Sequence, residues 1–215
     1  MGKKGKYSVW DWVVTGLLVI FYTVGFIGFE MPRTHSLFVK LTPLALLLSI
    51  VVLIRYHEGK ACKKTWLFLA FVFAGGFLIE VAGVNTGLIF GHYNYGEGLS
   101  IKLFDTPLMI GVNWALMVYL SAAVVASLRQ NYAVQVLLPS AIMVAYDVIM
   151  EQVAPKMDMW NWAGETIPLQ NYLLWATIAV VFHAVRYFIR LEVKNRMALP
   201  ILIIQSIFFL LIWLI

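Results

Sequence analysis

Cysteine is nearly absent: Cys62 stands alone among 215 residues. An internal disulfide is therefore excluded, and so is a thiolate cage for a metal. Charge is scarce too. Lys, Arg, Asp and Glu supply 13% of the chain, against about 25% in a soluble domain. The four histidines, His35, His57, His92 and His183, form no HxxxH or HxxHH pair, which excludes a histidine-rich di-iron oxygenase or desaturase. No GxGxxG follows a strand-like segment, so no Rossmann cofactor site is expected. The last apolar run, Ala198–Ile215, holds no lysine for a retinal Schiff base. No Ser/His/Asp or Cys/His set is evident. Carboxylates, amides and aromatics remain. They suit acid–base chemistry without a metal or cofactor, or proton-coupled movement.

What the chain has is apolar length. Hydrophobic residues make up 62% of it. They fall into about seven runs near membrane-spanning length. The runs are Trp10–Phe29, Leu37–Ile54, Thr65–Ile79 (extending to about Gly83), Leu108–Leu128, Ala133–Met150, Leu169–Ile189 and Ala198–Ile215. The expected fold is an all-α, polytopic, integral membrane helical bundle, a single transmembrane domain over residues 1–215. No repeat or low-complexity segment is present. Lys3, Lys4 and Lys6 precede the first run as they would in a leader peptide. That run is longer than a typical leader core and lacks a small-x-small cleavage site, so it reads as a retained first helix. The chain ends within its last run, and no tail is expected.

Sidedness follows from the basic residues. With the N-terminus in the cytoplasm, twelve of the sixteen fall inside: Lys3, Lys4, Lys6, Arg55, Lys60, Lys63, Lys64, Arg129, Arg186, Arg190, Lys194 and Arg196. Arg33, Lys40, Lys102 and Lys156 fall outside. The split predicts N-in, C-out in a multi-pass cell-membrane protein, placed in a bacterial inner membrane. It also explains the net charge of +5 through topology rather than nucleic acid. The expected surroundings are the lipid bilayer.

The chain is organised around Glu80–Pro107. This stretch opens with a carboxylate in an apolar run, spaces Gly83, Gly87 and Gly91 evenly, and then sets Phe90, Tyr93 and Tyr95 among Asn85, His92 and Asn94. A bilayer tolerates such a segment only where protein surrounds it or water reaches it. The three glycines fit two readings: a helix-packing seam, or backbone room in a re-entrant loop.

Helical rise places the acids. At about 1.5 Å per residue, Glu80 lies roughly 22 Å from Thr65 at the inner face, and Asp147 roughly 21 Å from Ala133. Asn113 lies roughly 9 Å inward from Pro107 at the outer face. All three reach similar depth in the outer half. Glu151 follows Asp147 by four residues and shares its helix face, and Gln170 and Asn171 open the sixth run on the same side. One intramembrane acid can be a hydrogen-bonded structural group. Two at matched depth on different helices point to function. Glu151 also reads as an interfacial helix end. The Trp160–Asn161–Trp162 segment reads as an aromatic belt or as a lid. His92 reads as structural.

The pattern Glu80, Gly83, Thr86, Gly87, Phe90, Gly91, Tyr93 and Tyr95 resembles the membrane carotenoid biosynthesis family that contains the carotenoid 1,2-hydratases. These include gamma-carotene, lycopene and bisanhydrobacterioruberin hydratases. Pro107, Asn113–Trp114, Asp147 with Glu151, Trp160, Trp162, Ile167–Tyr172 and Trp175 extend the match across Glu80–Trp175. Gln152 stands where the family pattern often has proline after the second acid.

The resemblance implies addition of water across the terminal 1,2 double bond of an acyclic ψ-end group, giving a tertiary alcohol. The implied substrate is lycopene, gamma-carotene or a similar carotenoid, with water as co-substrate and no cofactor. Such a reaction needs an acid, cation stabilisation and a positioned water with an acceptor. Glu80 and Asp147 are the candidate acid and base, in either order, with Asp147 as donor in the working assignment and Glu151 beside them. Trp114, Tyr93, Tyr95 and Trp175 offer aromatic faces, worth about 0.5–2 kcal/mol each to a cation. Asn113 and Asn171 would orient the water, and Trp160 and Trp162 would line the substrate's end. Two rivals stand beside this. One is a membrane prenyltransferase, because Asp147-x-x-x-Glu151 has the look of a diphosphate–magnesium motif. The other is a proton-coupled transporter using the carboxylates as relays.

Overall fold

The computed structural model describes residues 7–58, 62–164 and 166–215. Lys3, Lys4, Lys6 and Lys60, which entered the charge count, lie outside the described residues. Helix α1, Val9–Glu30, starts at a reciprocal cap: Ser8 Oγ accepts from the Asp11 amide at 3.2 Å, and the Asp11 carboxylate accepts from the Ser8 amide at 2.8 Å. Then come α2 (His35–Lys40), α3 (Thr42–Arg55), α4 (Lys63–Thr86), α5 (Leu108–Val125), α6 (Leu138–Val153), α7 (Leu169–Phe188) and α8 (Ala198–Leu214). A π-helical turn, Ala133–Leu137, leads into α6.

Each of the seven apolar runs became a helical column. The second is the exception in detail, because it breaks at Leu41 into α2 and α3. Pro43 is the physical reason. It has no amide hydrogen and fits only the first turn of a helix, so α3 starts there. Among the described residues, α1, α4, α5 and the Ala133–Val153 column are each long and apolar enough to cross a membrane. Their outer faces carry exposed Leu17, Ile20, Val24, Leu67, Leu78 and Val148. This is an all-α membrane bundle, and its solvent-poor exterior is apolar because lipid is its solvent.

Helix α5 is the axis. It is apolar on every side, and Trp114, Val118, Leu120 and Ala122 are fully buried. It packs lengthwise on α4 and is flanked by α6, α7 and α8, while α1 lies along α8. Two buried polar clusters tie the columns together. Gln205 of α8 donates to Tyr22 of α1 and Ser49 of α3, both at 3.0 Å, and accepts from Tyr146 of α6 at 3.3 Å. At one end of the bundle, Asn195 donates to Tyr119 at 3.0 Å, and Tyr119 meets His57 Nδ1 at 2.6 Å.

At the other end α4 and α6 finish and α5 and α7 begin. Strands β1 (Tyr93–Tyr95) and β4 (Trp160–Trp162) pair antiparallel there, as do β2 (Lys102–Leu103) and β3 (Thr106–Pro107). The even glycine spacing conceals three different jobs. Gly83 sits inside α4 with no room for a Cβ beside Phe90. Gly87 ends α4 at φ +66°, and Gly91 turns the chain at φ +112°. Residues 83–107 are thus a helix end followed by a ribbon-bearing loop.

Candidate active site

In β1 and β4, alternate side chains point the same way, so Tyr93 and Tyr95 share a face, as do Trp160 and Trp162. The register pairs Tyr93 with Trp162 and Tyr95 with Trp160. That face turns into the bundle, onto two carboxylates. Tyr93 and Tyr95 both donate to Glu80 Oε2, at 2.6 and 2.8 Å, while Trp114 Nε1 donates to Oε1 at 3.1 Å. Trp160 and Trp162 both donate to Glu151 Oε2, at 3.0 and 2.8 Å, while Asn171 Nδ2 donates to Oε1 at 2.7 Å. Each carboxylate therefore receives three donors at two oxygens.

The indole N–H can only donate. Trp114 fixes Glu80 Oε1 as an acceptor, and the two tryptophans of β4 fix Glu151 Oε2. The phenols are donors as well. Burial, and then the adjacent Glu80 carboxylate, push Tyr93 and Tyr95 well above the ordinary phenol range.

Asp147 is different. It lies one helical turn from Glu151 on the same face of α6 and is 1% exposed, yet neither oxygen has a hydrogen-bond partner among the described residues. Asn113 Nδ2, on α5, is also buried and unpartnered. Orphaned buried polar atoms are costly and mark places where a ligand or reacting group completes the set.

Glu80, Tyr93, Tyr95, Glu151, Trp160, Trp162, Asn171 and Trp175 line a common, tightly packed cavity of about 10 Å³, and so do Phe90 and Ile110. Asp147, Asn113 and Trp114 are buried nearby but do not line it. Beneath Glu80, Trp114 stacks on Trp175 with centroids 3.9 Å apart and planes 16° from parallel. The stack fits because Gly76 leaves the space: a Cβ there would lie 2.5 Å from Trp114 Cγ.

Every residue singled out from the sequence thus falls at this end of the bundle, with two changes of role. Trp160 and Trp162 hold a carboxylate, which neither the belt nor the lid reading included. Gln170 points away and donates to the carbonyls of Leu88 and Ile89 at 2.6 and 2.7 Å, tying the loop down. Sequence reasoning missed Ile110 and Gly76. Ile110 stands one turn before Trp114, a spacing that could have signalled it. Gly76 carried no signal apart from being a glycine within an apolar helix.

Comparison with known proteins adds one match. A family model described as "carotenoid biosynthesis protein" matches residues 41–215. No curated protein and no solved structure matches the chain.

Proposed function

The chain belongs to the carotenoid biosynthesis protein family, and on that premise we propose that it is a cofactor-independent carotenoid hydratase. The reaction is addition of water across the terminal 1,2 double bond of an acyclic ψ-end group. The observation that carries this reading is the contrast between one unpartnered buried acid, Asp147, and two carboxylates saturated with donors, Glu80 and Glu151.

In the proposed mechanism Asp147 holds the proton that is transferred. The alkene π electrons take it at C2, leaving Asp147 as carboxylate and a tertiary cation at C1. The Trp114–Trp175 stack and the ring of Tyr93 offer electron-rich faces to that cation, worth about 0.5–2 kcal/mol each. Water then bonds to C1, and its proton passes to Glu80, whose three donors stabilise the acceptor form. Transfer of a proton from Glu80 back to Asp147 through water closes the cycle. The net change is alkene plus water to alcohol, so no oxidant or reductant is needed. Asn113 and Asn171 orient the water.

A carotenoid is a rod about as long as the hydrocarbon core is thick, roughly 30 Å. At about 10 Å³ the cavity has room for no more than a water, so the end group must push the lining side chains apart to enter. The rod therefore lies along lipid-facing helix surfaces with one end inserted beneath the ribbon. The cavity stops a turn short of Asp147, so binding must deepen it. N-in, C-out topology would set the site in the outer leaflet, where water is within reach.

The test is expression in a bacterial host that makes lycopene or gamma-carotene, with pigment chromatography and ¹⁸O-labelled water. The reading predicts a more polar product carrying one ¹⁸O. Unchanged pigments, or a product lengthened by a prenyl unit, would refute it.

A further inference from the structure

Among the described residues Arg186 is the only buried lysine or arginine, at 4% exposure. Among the described residues no carboxylate pairs with it: Glu192, which lines the cleft described below, is engaged by Lys194 at 2.6 Å. A buried guanidinium without a counter-charge is unfavourable, so the local structure has to compensate for it. It does so with neutral acceptors. Arg186 donates to the backbone and side-chain oxygens of Gln135 and, at 3.3 Å, to the Leu191 carbonyl. The Gln135 carbonyl is free to accept because Pro139, four residues on, has no amide hydrogen to give it. The π-helical turn Ala133–Leu137 sits at this point, a distortion that recurs at functional sites. Nε of Arg186 still lacks a partner among the described residues.

This cation forms one wall of an open cleft of about 460 Å³, between residues 126–135 and the end of α7. Arg190 lines the same cleft. Its backbone is left-handed at φ +53°, and its side chain is exposed. The last carbonyls of α7 do not repel an anion freely, since Lys64 Nζ donates to Ile189 and the Leu191 amide to Arg186. Beside the cleft Tyr132, Tyr187 and Phe188 form a contiguous aromatic group, with centroids 5.7 to 6.3 Å apart. Phe188 is 72% exposed; Leu137 of the π-helical turn, which packs on α7, and Leu128 in the segment before that turn are exposed as well.

We propose that this cleft binds the phosphate of an anionic phospholipid, with Arg186 and Arg190 on the headgroup and the chains lying over Phe188, Leu128 and Leu137. Guanidinium groups match phosphate geometry. Interfacial aromatics beside basic clefts are the setting in which membrane proteins hold such lipids. The apolar rim favours a lipid over free phosphate. The cleft lies at the opposite end of the bundle from Glu80 and Glu151, so this inference does not depend on the proposed reaction.

The experiment uses the full chain purified in zwitterionic micelles, with the thermal midpoint as readout. Added phosphatidylglycerol should raise the midpoint by about 3 °C or more, with no such rise from phosphatidylcholine. R190Q should lose most of the rise. R33Q, at the other end, should keep it. R186K, which preserves the buried charge but not the fork, should reduce it. Native mass spectrometry should show phosphatidylglycerol retained on the wild type and depleted on R190Q. An equal rise with phosphatidylcholine would overturn the proposal, as would a full rise in R190Q. An equal rise with inorganic phosphate would replace the lipid by the free ion and overturn it as stated.

Discussion

Tyr95 and Trp160 face each other across the β1–β4 ribbon with ring centroids 6.3 Å apart, yet they donate to different carboxylates, Tyr95 to Glu80 and Trp160 to Glu151. The ribbon therefore links the ends of α4 and α6 through their acids. A shift in either strand alters the donor set of both.

Removing one donor should weaken catalysis without unfolding the protein. Tyr93→Phe and Trp162→Phe each delete one hydrogen bond to a carboxylate, worth about 1.5–3 kcal/mol. Hydration in either variant should fall by roughly ten-fold or more, with the protein still folded and membrane-inserted and its thermal midpoint lowered by about 3–12 °C. Because the two rings touch at 5.1 Å, the double variant should depart from additivity. Product formation measured over the double-mutant cycle checks this.

Glu151 should tolerate an amide but not truncation. In Glu151→Gln the remaining oxygen can face the two indoles while the Asn171 amide flips to meet the new NH₂. Glu151→Ala strands three buried donors, each costing about 1–3 kcal/mol. Thermal unfolding should show a near-native midpoint for the first and a large loss for the second.

Gly76→Ala tests the site from outside the cavity. The added methyl would collide with the Trp114 indole and displace it from both Glu80 and Trp175. Activity should fall at least ten-fold, the size expected for losing one charge-assisted bond. Reduced near-ultraviolet dichroism from the indole stack should accompany it. Full activity with an intact stack would show that the seat is not needed.

Tyr93 and Tyr95 should resist ionisation. Their folded pKa values lie above the unfolded value of about 10, because burial and then Glu80 disfavour phenolate. The stability they contribute is therefore complete below about pH 10 and is lost only as pH climbs toward the raised values. Titration at 295 nm should show the same number of tyrosinates near pH 10 in wild type and in the Tyr93→Phe/Tyr95→Phe variant.

The helical columns were legible because membrane runs announce themselves by length and apolarity. The placing of Glu80 and Asp147 toward the same end of the bundle was legible because helical rise is constant. Other features depended on partners remote in sequence. Nothing within Trp160–Trp162 says that it pairs with Tyr93–Tyr95, so a belt, a lid and a strand looked alike. Glu151 looked peripheral because its three donors come from β4 and α7. The Leu41 break needed only the rule for proline, applied to Pro43. The seat for Trp114 at Gly76 could not be read at all, since it depends on how closely α4 and α5 approach.

The central claim is that Asp147 gives the proton. Its most direct measurement is product formation by Asp147→Asn in cells that make an acyclic carotene, beside wild type with equal membrane-inserted protein. Loss of general acid catalysis should cut the hydrated product by about 10²-fold or more. Wild-type levels of hydrated product from Asp147→Asn would contradict the account.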